Sequence, residues 1–404
     1  MTRDSTPGTG PSNPVEAERS VGVHPLIALS VLNHVAFSGA RVCLTLSALH
    51  LQASTFVVGA LLALLGVLPM LLAVAGGRWV DRIGARVPMI LGTGLVIAGT
   101  LAPAAWFSMP MLALACMVIG VGYLPFHLAI QKLISQAGPI ERRRHNLSLM
   151  AIGFSVSAFL GPTITGFLID GIGHRASFGV LALLPMISII WMRWMGARLQ
   201  HWPLASAPSP SPTARLRDLL STPELRRLYM VVALISSAWE VHQFLVPLYG
   251  ASKGLSASTI GLILGAYAIA SLVVRVITPI FLMNVGEWTV ISASLIVAVA
   301  VYVAYPFFDQ LEALFILSFV LGLGLGVSQP MTMSILARVA PPERLGEATG
   351  LRLTLVFGTQ TALPLAFGAL GGVFGVGILF WGMAMLVAGG LMGVLRANRG
   401  TPPT

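Results

Sequence analysis

Glu240 is the one acidic residue that the hydrophobic pattern places in the middle of a long apolar segment. The sequence contains fourteen aspartates and glutamates, and the others fall in predicted tails, loops or helix ends. An ionisable side chain at mid-membrane depth costs about 2.5–3.5 kcal/mol on insertion scales, so its presence indicates a function. Low dielectric disfavours the charged form of a carboxylate and a nearby cation favours it, so changing surroundings can load and release a proton. We therefore predict that Glu240 is a proton-coupling residue.

Two apolar segments carry polar residues at the same spacing of i, i+4 and i+7, which puts each set on one helical face. The sets are His34, Ser38 and Arg41 in the first segment and Ser236, Glu240 and Gln243 in the seventh. An offset of 202 residues, half the length of the chain, maps one set onto the other. We therefore expect the two faces to look at each other across a shared cavity, with Arg41 near enough to Glu240 for an ion pair. His34 is predicted to assist in proton coupling.

A wider set of polar and aromatic side chains is predicted to bind the substrate. The same offset maps His127 onto Gln329, which extends the symmetry of the polar faces to two further segments. The predicted substrate-binding residues are Asn33, Ser38, Arg41, Tyr123, His127, Gln131, Ser236, Trp239, Gln243, Gln329 and Gln360. His242 lies on another face from Glu240 and is predicted to be a packing residue.

Structural roles compete with these functional ones. Arg41 could be satisfied by backbone carbonyls, and Glu240 could be locked to Arg41 or to a histidine without ever titrating. Each histidine of the predicted cavity could be a satisfied core residue. Arg275 and Arg352 fall within about two turns of a membrane surface, where a long side chain can reach the headgroups, so we expect both to be structural.

Long apolar segments must position all of these residues. Hydrophobic residues make up 56% of the chain and charged residues 9%, whereas a soluble domain carries about 25% charged residues. Apolar segments long enough to cross a ~30 Å hydrocarbon core recur along the chain. They are predicted at 25–47, 53–75, 87–107, 109–134, 147–170, 177–198, 228–249, 257–282, 288–306, 311–336, 347–370 and 373–396.

The distribution of basic residues sets the predicted topology. The net charge is +10, and most arginines fall in short loops on the side of the N-terminal tail, whereas the opposite loops hold only Arg175 and Lys253. Because cytoplasmic loops carry the excess of basic residues, both termini are expected in the cytoplasm. The predicted location is the cell membrane, which is the inner membrane if the source is bacterial. This distribution also accounts for the positive charge without a nucleic-acid partner.

A proline- and serine-rich stretch divides the chain into halves. The predicted domains are a disordered cytoplasmic tail at 1–24, a six-helix bundle at 25–198, a cytoplasmic linker at 199–227, a second bundle at 228–396 and a cytoplasmic tail at 397–404. At the 202-residue offset Pro162 coincides with Pro364. Duplicated six-helix halves with a site between them are typical of secondary transporters. The predicted fold class is all-α integral membrane, with twelve transmembrane helices in two pseudo-symmetric bundles.

A charged motif, GGRWVDRIGAR at 76–86, follows the second apolar segment. Its residues resemble the loop signature of the major facilitator superfamily through Gly77, Arg78, Asp81, Arg82, Gly84 and Arg86. The resemblance covers 25–396 and implies this family's fold, with the loop acting as a cytoplasmic latch between the halves. The aspartate would face the start of the eleventh helix, whose positive end stabilises a negative charge by about 0.3–1 kcal/mol. The two glycines at 76–77 are expected to end the second helix.

The fifth apolar segment contains a row of small residues with a proline. These residues, Gly153, Ser157, Gly161, Pro162 and Gly166, resemble the glycine-proline motif of family members that export by antiport. Such residues also allow close helix packing and a local bend. The resemblance implies proton-coupled efflux of an amphipathic or weakly anionic compound. The alternative is proton-coupled uptake of an organic anion or metabolite.

Other function classes lack the residues that they need. The sequence contains no HExxH, nucleophile elbow or P-loop, so neither an enzyme nor a pump with its own ATPase is predicted. Cys43 and Cys116 lie in apolar runs and are expected to be small core residues. We expect no cofactor and no metal. The expected partners are a small-molecule substrate, protons and the lipid bilayer, with no nucleic acid, and the protein is expected to be a monomer.

Overall fold

The computed structural model describes residues 22–137, 142–195, 220, 222–281, 285–341 and 344–398. Nearly all of the predicted N-terminal tail and most of the predicted linker and C-terminal tail therefore lie outside the described residues. Within these ranges the chain is helical apart from short connections.

The described residues form twelve helical segments, numbered α1 to α12 in chain order. They are α1 Val23–His50, α2 Thr55–Ile83, α3 Arg86–Ala105, α4 Met109–Gln136, α5 and α6 within Arg143–Met195, α7 Pro223–Ser252, α8 Ala257–Phe281, α9 Glu287–Ala304, α10 Leu311–Val339, α11 Leu345–Phe374 and α12 Val376–Asn398. A 3₁₀ turn, Tyr305–Phe307, follows α9. Gly173 separates α5 from α6, because its φ of +80° and ψ of 166° are not helical.

Each predicted apolar segment corresponds to one of these helices. Apart from the joined pair α5 and α6, the helices have 18 to 30 residues, or about 27–45 Å at 1.5 Å per residue, which is enough to span a bilayer. Their apolar windows have mean hydropathy between 1.4 and 2.6. The predicted fold class is confirmed: the protein is an all-α integral membrane protein.

The end of α2 differs from the prediction. The helix continues through Gly76 and Gly77 to Ile83, and the turn consists only of Gly84 and Ala85. Gly84 has a φ of +82° and its N–H donates to the carbonyl of Val80. A residue with a Cβ is strained at that φ, so the glycine at 84 ends the helix and the pair at 76–77 does not. Most of the charged motif is therefore the last two turns of a helix.

Helices α1–α6 form the first bundle and α7–α12 the second. One apolar cluster lies wholly within the first bundle, at the end that carries Arg78, Arg82 and Arg86, which we call the arginine-rich end. A larger cluster runs through both bundles. Helices alternate in direction, so the turns before Thr55 and after Ser252 lie at the opposite end, which we call the far end.

The two bundles pack closely at the far end through glycines. A Cβ at Gly59 of α2 would overlap the carbonyl of Pro364 of α11, and one at Gly368 would lie 2.7 Å from the carbonyl of Thr55. The Thr55 hydroxyl donates to the carbonyl of Gly368 over 3.0 Å. In the same way, a Cβ at Gly261 of α8 would overlap backbone atoms of α5. Backbone contact between the bundles therefore seals the far end.

A carboxylate reinforces this seal. Asp170, in the last turn of α5, accepts hydrogen bonds from the N–H groups of Ala257 at 3.0 Å and Ser258 at 2.8 Å. These groups begin α8, where backbone N–H groups lack partners within the helix and where the helix dipole favours a negative charge. Asp170 of the first bundle thus caps a helix of the second.

Candidate transport cavity

A cavity of about 420 Å³ lies between the two bundles. This volume is within the range of pockets that bind drug-sized molecules. The sealed far end closes one side of it. Toward the arginine-rich end it reaches Arg275, six residues before the end of α8, and Arg352, seven residues after the start of α11. These positions are about 10 Å from the helix ends.

The predicted ion pair between the first and seventh helices is formed. Nη2 of Arg41 lies 2.6 Å from Oε2 of Glu240, and the two side chains are 12% and 8% exposed. Nε of Arg41 has no hydrogen-bond partner, so a single charge-assisted bond holds the guanidinium. Removing two charges from water has a large desolvation free energy, and one charge-assisted hydrogen bond offsets only part of it. The pair crosses from one bundle to the other, so a movement of the bundles must change its geometry.

An aromatic wall lines the first-bundle side of the cavity. His34 lies with its ring centroid 4.8 Å from that of Phe154, and Phe37 stacks on Tyr123 at 4.1 Å. His127 joins this group through the Tyr123 hydroxyl, 3.3 Å from its Nδ1. Nδ1 of His34 has no hydrogen-bond partner. Aromatic rings surround the imidazole of His34, and its role in proton coupling stays a prediction.

Most of the predicted site residues line the cavity. They are His34, Ser38, Arg41, Tyr123, His127, Gln131, Ser236, Trp239, Glu240, Gln243, Gln329 and Gln360. The polar residues that the 202-residue offset matches all line the same cavity, because the two bundles repeat the same helix arrangement. Their roles in binding and coupling stay predictions.

Asn33 is the exception and does not line the cavity. Its side chain is fully buried, and Nδ2 donates to the carbonyl of Leu29 over 3.1 Å. One residue corresponds to 100° of helix rotation, so Asn33 turns away from the cavity face that His34 shares. Its predicted contact with substrate is wrong for this conformation. His242 is a packing residue as predicted, with Nε2 3.1 Å from the Ser318 hydroxyl inside the second bundle.

The predicted motif of α5 serves packing on two faces. The Ser38 hydroxyl donates to the carbonyl of Ser157 over 3.1 Å, and a Cβ at Gly161 would overlap Ser38. A Cβ at Gly153 would press on Val31. The C-terminal part of the motif, with Pro162 and Gly166, instead meets α8 at the far end. Ser38 lines the cavity, but its hydroxyl donates its hydrogen bond to α5 and not to the cavity.

Two residues that the sequence predicts to be structural, Arg275 and Arg352, line the cavity. Arg275 donates from Nη1 to the Ser155 hydroxyl at 2.9 Å and from Nη2 to Oε1 of Gln329 at 2.6 Å. Arg352 lines the cavity without a hydrogen-bond or acidic partner among the described side chains, and its buried Nε is unsatisfied. Both point into the cavity because it extends to their depth. The sequence feature that could have indicated a cavity position is that both arginines lie inside apolar segments.

The predicted latch has a different partner in this conformation. Asp81 forms an ion pair with Lys132 of α4, inside the first bundle, and makes no contact with the start of α11 among the described side chains. Arg78 and Arg82 are exposed. The reason is that the described bundles pack together at the far end, whereas the cavity separates them nearer the arginine-rich end. The latch contact therefore stays a prediction, for a conformation in which the arginine-rich end is closed.

Twelve helices in two bundles around a shared cavity agree with the family resemblance of the sequence. The family model of the Major Facilitator Superfamily matches residues 26–311 and 254–404, which together cover nearly the whole chain. The chain belongs to the major facilitator superfamily. It is therefore a secondary transporter and a multi-pass membrane protein, not an enzyme.

Curated relatives and solved structures agree with this membership. The chain is 26% identical over 321 residues to the quinolone resistance protein NorA of Staphylococcus aureus strain MSSA476, covering 77% of this chain and 80% of NorA. It is 23% identical to the multi-drug resistance efflux pump PmrA homolog of Lactococcus lactis, covering 68% of each.

A POT family transporter in complex with a thioalcohol-conjugated peptide superposes with a TM-score of 0.79 at 13% identity, covering 93% of this chain and 96% of that one. A bacterial homolog of the human lysosomal transporter Spinster, inward-facing and occupied, gives 0.74 at 13% identity, covering 97% and 98%.

Proposed function

We propose that this superfamily member exports a small amphipathic or weakly anionic molecule in exchange for protons. The observation that carries the proposal is the ion pair between Arg41 and Glu240, which joins the two bundles inside the cavity. A carboxylate that is paired in one conformation and separated in another changes its proton affinity with conformation. That change is what couples a proton gradient to alternating access.

The direction follows from topology and relatives together. With both termini in the cytoplasm, as the basic residues predict, the far end is the outer face and this conformation faces inward. NorA and the PmrA homolog are named for drug resistance and efflux, and we extend that direction to this chain. We place it in the cell membrane, the inner membrane in a bacterium, as a monomer whose bundles are joined by a cytoplasmic linker at 199–227.

The proposed cycle uses the pair as follows. In the inward-facing state Glu240 is charged and bound to Arg41, and the substrate enters from the cytoplasm. When the bundles rock and the far end opens, Arg41 and Glu240 separate, the substrate leaves and the carboxylate takes up a proton from outside. On return, the approaching guanidinium favours the charged carboxylate, and the proton leaves to the cytoplasm. His34, with an unpaired Nδ1 in the same cavity, is the proposed secondary carrier of the proton.

Substitution of Glu240 tests the coupling. Inside-out vesicles with an imposed proton gradient are supplied with a fluoroquinolone, and proton release is followed with a pH-sensitive dye. We expect Glu240→Gln to abolish substrate-induced proton release, whereas Glu240→Asp keeps part of it because the carboxylate remains. Glu312→Gln, the same exchange at an exposed glutamate in the first turn of α10, is the matched control. Proton release by Glu240→Gln at the wild-type rate would refute the coupling role.

Proton-coupled uptake of an organic anion or metabolite is the second candidate. The observation that favours it is the surplus of arginines around the cavity, which suits an anion that a cell imports. Inside-out and right-side-out vesicles under the same gradient separate the two directions. Export predicts accumulation only in inside-out vesicles that are acidic inside, and uptake predicts accumulation in right-side-out vesicles that are acidic outside.

A further inference from the structure

The charges that line the cavity do not balance. Among the described residues the lining contains one carboxylate, Glu240, and three guanidinium groups. Since Arg41 is bound to Glu240, the cations of Arg275 and Arg352 have no acidic partner among the described side chains. Resting on the proposed transport function, we propose that these two arginines are an anion site and that the substrate is an aromatic organic anion, a carboxylate or a sulfonate.

Arg352 is the stronger part of this site. It lines the cavity from the second turn of α11, and no described side chain accepts a hydrogen bond from it or neutralises it. A buried charge that lacks a partner is destabilising, so an anion that reaches it gains a charge-assisted bond and removes an existing penalty. The planar guanidinium also matches the two oxygens of a carboxylate or sulfonate.

Arg275 is held in place but not neutralised. Its acceptors are the Ser155 hydroxyl, the amide oxygen of Gln329 and two backbone carbonyls, and all of them are uncharged. These bonds fix the side chain between α8 and α5 and leave its full positive charge at the cavity. Such a fixed cation attracts an anion with little loss of side-chain freedom on binding.

The opposite side of the cavity suits an aromatic group. Phe37, Tyr123 and Phe154 line it from the first bundle, and the Phe37 and Tyr123 rings stack at 4.1 Å. Arg275 and Arg352 both belong to helices of the second bundle. A flat molecule with an anionic group at one end can therefore stack on the first bundle while its charge meets the second. Binding of this kind draws the bundles toward each other, as the start of a rocking movement requires.

Matched aromatic probes of different charge test this proposal in the purified full-length protein. The probes are naphthalene-2-sulfonate, its neutral sulfonamide, and 2-naphthyltrimethylammonium, with affinity measured by titration calorimetry in detergent. We expect the sulfonate to bind most tightly and the ammonium most weakly. Arg352→Gln and Arg275→Gln should each weaken sulfonate binding about 10- to 100-fold, the range for a lost hydrogen bond to a charged group. The sulfonamide affinity should change less than about twofold, because the aromatic contacts remain.

Arg338→Gln is the matched control. Arg338 is exposed, does not line the cavity, and its Nη1 lies 2.6 Å from Oε2 of Glu287. It should leave all three affinities unchanged. Arg352→Lys keeps a charge and should retain part of the sulfonate affinity, which a purely structural arginine would not predict. Equal binding of sulfonate and ammonium by the wild type overturns the proposal, and so does sulfonate binding by Arg352→Gln at the wild-type affinity.

Failure here is distinguishable from failure of proton coupling. Glu240→Gln frees Arg41 from its partner, so it should bind the sulfonate at least as tightly as the wild type while losing coupled transport. Loss of coupling with intact sulfonate binding supports both proposals. Intact coupling in Glu240→Gln refutes the coupling role and leaves the anion site standing.

Discussion

The two ends of the cavity are held by different kinds of contact. At the far end, α2 meets α11 and α5 meets α8 through glycines whose missing Cβ atoms leave room for backbone of the other bundle, and Asp170 caps α8 across the same boundary. At the arginine-rich end, Asp81 is bonded within its own bundle. Where backbones of the two bundles touch, there is no space for an added side-chain atom. A surface ion pair, in contrast, can change partners. The comparison indicates which end should be sensitive to substitution.

Substitution of a sealing glycine should have the largest effect. Gly59→Ala places a Cβ against the carbonyl of Pro364, and overpacking of this kind costs about 1–3 kcal/mol. We expect transport in vesicles to fall at least about tenfold, because the sealed conformation is destabilised relative to the others. Gly94→Ala is the matched control, since nothing lies within 4 Å of its Cβ position. Wild-type transport by Gly59→Ala would mean that the far end is not sealed by this contact.

A cysteine pair should report directly on the seal. The Cβ position at Gly371 lies 3.4 Å from Cβ of Thr55, close to the separation in a disulfide. We expect Thr55→Cys with Gly371→Cys to form a cross-link under mild oxidation and to block transport until reduced. Cys43 and Cys116 are buried and should not interfere. Absence of the cross-link in the folded protein would contradict the sealed far end.

Asp170 should have an intermediate effect. Asp170→Asn keeps one acceptor oxygen for the start of α8 and loses the charge, a change comparable to losing a helix cap at about 0.5–2 kcal/mol. We expect the cysteine pair at 55 and 371 to cross-link several-fold more slowly. Asp309→Asn is the control at the same end, because Asp309 pairs with Lys253 within the second bundle at 2.7 Å. The bond from Lys253 lowers the pKa of Asp309, yet breaking it should leave the seal intact.

The arginine-rich end should be the least sensitive in stability. Lys132→Gln removes the present partner of Asp81, and an exposed ion pair contributes about 0–1 kcal/mol. We expect a melting temperature within about 2 °C of the wild type in thermal unfolding. Transport separates two roles of Asp81: if it latches α11 in the other conformation, Asp81→Asn reduces transport while Lys132→Gln does not. Equal transport by the two variants would contradict the predicted role of Asp81 as a latch.

The cavity illustrates how far facing residues can be inferred from repetition alone. The constant offset between halves predicts that the polar faces of α1 and α7 oppose each other, with Arg41 about one turn from the depth of Glu240. This works because both bundles fold the same helix arrangement around one axis. Asn33 was misplaced because a difference of one residue turns a side chain by 100°. The sequence does not show that Arg275 and Arg352 line the cavity, because its depth depends on how far the bundles separate, which no local pattern records.

The amino-acid sequence by itself determined the twelve membrane-spanning helices, because long apolar segments can satisfy their backbone in lipid only as helices. It also determined which polar residues share a helical face, since that depends only on spacing. Tertiary structure decided which ends of the bundles touch, where α2 stops and which arginines keep an unbalanced charge. Those features depend on contacts between residues far apart in the chain, such as Gly59 with Pro364, and on the space that the packed bundles leave between them.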